Sequence, residues 1–160
     1  MLFLEIVISL LISYNTPTYE VPDKEIRQEI LDKVNAIRAR GCTCGRKYYE
    51  PAEPLVWHNS LYQSALSHAR EMARYQYFGH YGIRGEDIGT RVDRFNYAWE
   101  VVGENLGEGQ RSFNEVLRDW VESPSHCKML MDPRVKEMAV ARYRRYWVQH
   151  FGKRVQKTKG

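Results

Sequence analysis

With 160 residues, 43% of them hydrophobic and 12% aromatic, the chain has the composition of a single globular domain, which excludes intrinsic disorder. The net charge is +4, but the C-terminal stretch GKRVQKTKG carries four basic residues (Lys153, Arg154, Lys157 and Lys159) and no acid, so the remainder is neutral. The basic end reads as a solubilising tail, and with no nucleic-acid-binding motif in the chain a nucleic-acid partner is not expected.

In chain order, Leu2 to Ile12 is apolar apart from Glu5. The run falls short of the roughly 20 residues that span a bilayer but suits the core of an export signal. Residues 1–21 are therefore read as a leader, or, uncleaved, as an anchor or N-terminal helix. The stretch PDKEIRQEILDKVNAIRARG predicts a helix: Pro22 and Asp23 open it, Ile26, Ile30, Val34 and Ile37 line one face, and Gly41 ends it. CTCGRKYYEPAEP reads as loop, and a second helix is expected from Asn59 to Tyr75, with Leu61, Ala65, Leu66, Ala69, Met72 and Ala73 inward. FGHYGIRG is a glycine-rich turn, after which Asp87 caps a short helix carrying Ile88 and Val92. AWEVVGENLGEG predicts a strand with Val102, Glu104 and Leu106 on one face. Ser112 and Glu115 form a capping-box pattern for a helix that ends at Pro124. EMAVARY and YWVQHFG predict a hairpin turning at Arg144 and Arg145. Helices first, then strands mixed with helices, point to an α+β domain whose helices cover an antiparallel sheet.

The stretch ESPSHCKMLMDP sets His126 beside Cys127. A nucleophilic Cys/His pair needs converging side chains, whereas neighbours diverge by about 100° on a helix and point to opposite faces on a strand. G-x-S-x-G and H-E-x-x-H are both absent, so neither a serine-hydrolase elbow nor a helical zinc site is indicated. A metal site would have to draw on distant segments, and His80 and His126, both in loop-like sequence, are the candidates. Glu104 belongs to a face that should be buried, where a carboxylate needs a partner. It is either a structural carboxylate satisfied locally or the middle of a His-Glu-His cleft. His68 falls on the apolar face of the second helix and reads as a core histidine, while His58 and His150 receive no functional weight. Three cysteines, Cys42, Cys44 and Cys127, leave at least one thiol over within a single chain, and C-x-C fits neither thioredoxin-like nor zinc-knuckle spacing.

Taken together, KVNAIR, PLVWHNSLYQSALSHAREM, FGHYG, GENL, WVESPSHCKMLMDPRVKEMAVA and YWVQHFG, in this order, resemble the motifs of the CAP superfamily of cysteine-rich secretory, antigen 5 and pathogenesis-related 1 proteins, in its short bacterial form. The resemblance spans Glu25 to Gly152 and implies a domain over residues 22–152, with 153–160 a basic tail. It implies a three-layer α-β-α sandwich with a central antiparallel sheet and a cleft lined by His80, Glu104, Glu122 and His126. A divalent cation such as zinc is then expected between His80 and His126, and a small-molecule, lipid or protein ligand in the cleft. It also implies a disulfide between Cys44 and Cys127, with Cys42 the leftover thiol or an alternative partner. Secretion or envelope exposure and a monomeric state are expected. No enzymatic activity is established for the family as a whole, and the rival reading is a metal-assisted hydrolase of cell-wall or peptide substrates. Ser125 and Gly79 depart from the usual Gly and Ser of the two histidine motifs, which bears on ligand identity.

Overall fold

A computed structural model describes residues 22–156. The apolar run Leu2–Ile12, together with Lys157 and Lys159, lies outside the described residues. Within them no helix is long and apolar enough to cross a membrane.

The first helix, α1, runs Lys24–Arg40 and stops at Gly41, whose positive φ of 75° is open to glycine at no steric cost. CTCGRKYY is a small hairpin rather than loop, with strands β1 (Cys42–Cys44) and β2 (Lys47–Tyr49). Its two-residue turn opens on Gly45 at φ 65°, which matches the twist of paired strands; the brevity of the strands hid them from any periodicity. Two further residues, β3 (Val56–Trp57), lead into helix α2 (Asn59–Tyr75), for which the imidazole of His58 serves as N-cap by accepting from Ser60 N. Helix α3 (Ile88–Asp93) is capped by Asp87, whose carboxylate accepts from Thr90 N at 2.8 Å. Strand β4 (Trp99–Glu108) follows, then helix α4 (Phe113–Glu122), with Ser112 accepting from Glu115 N.

The expectation that helix ends at Pro124 and leaves His126 in loop-like sequence is half right. The chain breaks at Ser123 and at once begins helix α5 (Pro124–Leu130), in which His126 and Cys127 lie. Proline lacks an N–H and has a helical φ already fixed, so it ends one helix and suits the first turn of the next. The hairpin of β5 (Glu137–Tyr143) and β6 (Tyr146–Arg154) turns at Arg144–Arg145 as expected. β6 extends through Lys153 and Arg154, which pair with Glu100 and Glu137, so the basic tail begins inside the sheet.

The main sheet has the order β3-β5-β6-β4, antiparallel except for the short parallel β3–β5 pair. Alternation along its strands divides the core in two. On one face Met138, Val140, Trp147 and Phe151 pack with α1, α4 and α5; on the other Ala139, Ala141, Leu106 and Val148 pack under α2 and α3. This is the expected α-β-α sandwich, and β4 is an edge strand of its sheet.

Three polar devices seat α5. Arg38 is fully buried and donates to Glu53 O, Leu130 O and Asp132 O at 2.7–3.0 Å, joining α1 to the end of α5. Asn105 Nδ2 donates to His126 O at 3.2 Å and to Gln149 Oε1, tying β4 to both α5 and β6. Cys44 is bonded to Cys127, as the resemblance implied, closing a sequence separation of 83 residues. Loop-closure entropy puts the stabilisation from such a link at about 4 to 5 kcal/mol. Peptide mapping of acid-quenched, unreduced protein should therefore find Cys127 bridged to the β1 segment, with the link through Cys44 as the resting form. A Cys42–Cys44 bridge with Cys127 free would contradict this seating of α5.

Candidate functional site

Glu104 stands on the α2/α3 side of β4 with 3% of its side chain exposed. Four groups close around it. His80 Nδ1 lies 2.7 Å from Oε1, while Arg91 Nη2 and His150 Nε2 each lie 2.8 Å from Oε2. His68 Nε2 is 3.9 Å from Oε2 and makes its own 2.9 Å bond to Gly79 O. Burial by itself would push the Glu104 carboxyl up; the bonds from His150 and His80, with the Arg91 charge, overcome it and hold the group well below the ordinary carboxylate range.

An ionised carboxylate only accepts, so each imidazole nitrogen facing it must carry the proton. His80 is thereby fixed with Nδ1–H toward Glu104 and its Nε2 lone pair directed away, on a side chain 56% exposed. His150 likewise presents Nε2–H. The bond to Glu104 outweighs burial and raises the His80 pKa, whereas burial lowers those of His150 and His68 and keeps them neutral. His126 is also lowered, first by burial and then by the charge on His80.

Arg91 is the hinge of this arrangement. Beyond Glu104 it donates to Glu86 O and His80 O, both at 2.8 Å, so the guanidinium that neutralises the carboxylate also holds the glycine-rich turn carrying His80. Glu104 and Asn105 are neighbours on an edge strand and point to opposite faces. One tethers His80 in the α2 layer, and the other tethers the backbone carbonyl of His126 in the α5 layer. A cavity of about 320 Å³ opens beside His80, lined by His80, Tyr81, Asp87, Ile88 and Glu104. A larger depression of about 500 Å³ lies along α1 alone and gathers no comparable convergence of groups.

The structure thus brings His80 into contact with Glu104 and joins the backbone of His126 to Asn105, the next residue of β4. It does not bring Glu122 to them: that residue is exposed at the end of α4 and lines a separate groove with Lys33, Ile37, Arg40 and Leu117. Sequence reasoning missed Arg91, His150 and Asn105. His150 sits directly opposite Glu104 in the β4–β6 register, a signal visible only once that pairing is known. Arg91 on its short helix left no pattern that separates it from a surface arginine.

As a cation site the pair is sparse. Among the described residues, three or more metal-capable side chains converge only at Cys42, Cys44 and Cys127. Both oxygens of Glu104 are engaged, leaving two imidazoles, fewer than the three protein ligands that catalytic zinc keeps. Among the described residues no third side chain joins His80 and His126 in a ligand set, so they do not make up a catalytic zinc centre.

Residues 31–151 match the family described as CAP, the cysteine-rich secretory protein family. Two proteins of Bacillus subtilis strain 168 are similar: the uncharacterized membrane protein YlbC, 24% identical over 127 residues (79% of this chain, 34% of that one), and the uncharacterized protein YkwD, 26% identical over 101 residues (62% and 39%). The chain spans about a third to two fifths of the length of these curated relatives. Among solved structures, an extracellular SCP-domain protein of Bacillus anthracis str. Ames has a TM-score of 0.71 at 24% identity, covering 80% of this chain and 40% of its own. An outer surface protein of Borrelia burgdorferi has a TM-score of 0.70 at 19% identity, covering 84% and 97%. These likenesses establish the fold.

The stabilising effect of His80 is complete below about pH 6.5 and fades as pH rises through its raised folded value; that of neutral His68 and His150 is present above about 6.5 and fades on acidification. In a side-chain NMR titration His80 should show a midpoint above the ordinary histidine value, falling in Glu104→Gln. The same variant strips the buried Arg91 of its counter-charge and should lose about 3 to 5 kcal/mol of stability in chemical denaturation. An unmoved His80 midpoint would contradict the coupling.

Proposed function

The chain belongs to the cysteine-rich secretory protein (CAP) family, and from that membership and the geometry around Glu104 we propose that it is an extracytoplasmic binding protein whose recognition groups are His80 and His126. Location outside the cytoplasm is supported by the descriptions of the similar proteins, one extracellular and one at the outer surface. The apolar run Leu2–Ile12 agrees with it.

The observation that carries the binding role is the complete engagement of Glu104. A carboxylate that acts as general base must reach the proton that it abstracts. Both Glu104 oxygens are instead occupied by His80, Arg91 and His150, and Glu122 faces another groove. The hydrolase reading that uses a glutamate as general base therefore finds neither carboxylate free for that role. What remains is an orienting carboxylate beneath an exposed imidazole whose lone pair faces the cleft. Such a nitrogen accepts a hydrogen bond from a ligand or binds a divalent cation, and a bound cation would give an oxygen donor of the ligand a positive anchor. Tyr81 and Ile88 line the same cavity and supply apolar surface for the body of a small molecule or lipid.

Zinc serves as the probe. Equilibrium dialysis at neutral pH should show zinc retained by the wild-type chain and lost when His80→Ala and His126→Ala are combined. Glu104→Gln, which frees the His80 tautomer, should weaken zinc binding about 10- to 100-fold. Equal zinc in the wild type and the double variant would contradict the cation part of the proposal. Turnover of a cell-wall or peptide substrate that is lost in Glu104→Gln would favour the hydrolase instead.

A further inference from the structure

The third cysteine has no part in that cleft, yet its position is specific. Cys42 and Cys44 are two residues apart on β1, so their side chains leave the same face of the strand. The β1–β2 register, Cys42 opposite Tyr49 and Cys44 opposite Lys47, holds both in place. Cys127 of α5 comes down on that face and bonds Cys44. Cys42 Sγ lies 3.5 Å from Cys127 Sγ, and all three sulfurs lie within 4.8 Å of one another. Direct closure between Cys42 and Cys44 is disfavoured, because residues two apart on a strand sit about 6.6 Å from Cα to Cα, at the upper edge of disulfide reach. Two sulfurs therefore compete for one partner.

We propose that Cys42, Cys44 and Cys127 form an internal thiol–disulfide exchange site. The Cys42 thiolate attacks Cys127 Sγ and forms the Cys42–Cys127 bond. The Cys44–Cys127 bond breaks, and its electron pair leaves on Cys44, which takes up the proton that Cys42 released. One thiol and one disulfide exist before and after, so no oxidant or reductant is consumed. With all three sulfurs within 4.8 Å the resting approach is bent, so the attack requires the Cys42 side chain to rotate toward the line of the bond to be broken. Cys42 is half-buried, whereas Cys44 is 5% exposed and Cys127 fully buried. Exchange therefore moves the free thiol between an accessible position and a shielded one, while α5, and His126 with it, stays tethered to β1 in both states. In an oxidising compartment this lets a chain with three cysteines store its leftover thiol out of reach of external disulfides.

The full-length protein, held folded at about pH 8.5, near the ordinary thiol pKa, is quenched in acid, unfolded in acidic urea and alkylated with N-ethylmaleimide. Peptide mapping should find the label on Cys42 in some molecules and on Cys44 in the others, with none on Cys127. Cys44→Ser should be isolated with Cys42 bridged to Cys127. Label confined to Cys42 after prolonged incubation overturns the proposal, whatever Cys44→Ser does. So does a Cys44→Ser chain that leaves Cys42 and Cys127 as free thiols under air.

Discussion

The buried carboxylate of Glu104 is the constraint from which the cleft follows. A charge on the inner face of a sheet is tolerated only with a counter-charge and with its lone pairs occupied. Arg91 supplies the charge, and His80 and His150 supply the remaining donors. Pairs of this kind are no more stabilising than well-packed apolar residues of similar volume. What Glu104 contributes is position. Its partners come from the turn after α2, from α3 and from β6, and satisfying one carboxylate fixes all three relative to β4.

The edge position of β4 turns this local demand into a site. A central strand would bury both of its faces between two neighbours. At the edge, consecutive residues reach around opposite sides of the sheet, so Glu104 fastens His80 and Asn105 fastens the backbone of His126. The α5 side is held further by Arg38 and by the Cys44–Cys127 bond. Each histidine is thus placed by its own layer, His80 through its side chain and His126 through its backbone.

Much of this was legible in the chain. Regular apolar spacing gave α1 and α2 with nearly their observed limits, and the alternation of Val102, Glu104 and Leu106 marked Glu104 as an inward carboxylate before its partners were known. The ordered motifs gave the sandwich and the disulfide, and they singled out His80 and Glu104, which are in contact. What was hidden lacks a local signature. His150 matters because a strand far away in sequence pairs with it, and Arg91 because a turn folds over it. β1, β2 and β3 have two or three residues each, too few for a period to show. Glu122 came from the resemblance alone; it ends α4, just before the break at Ser123, and lines another groove.

The central claim is that Glu104 holds His80 in one tautomer with its cleft-facing nitrogen bare. Long-range proton–nitrogen NMR correlation of the histidine rings reads this directly. With the protein neutral at His80, the account predicts a protonated Nδ1 and an unprotonated Nε2 on His80, alongside a protonated Nε2 on His150. A His80 ring protonated at Nε2, or averaging freely between its two tautomers, would contradict it.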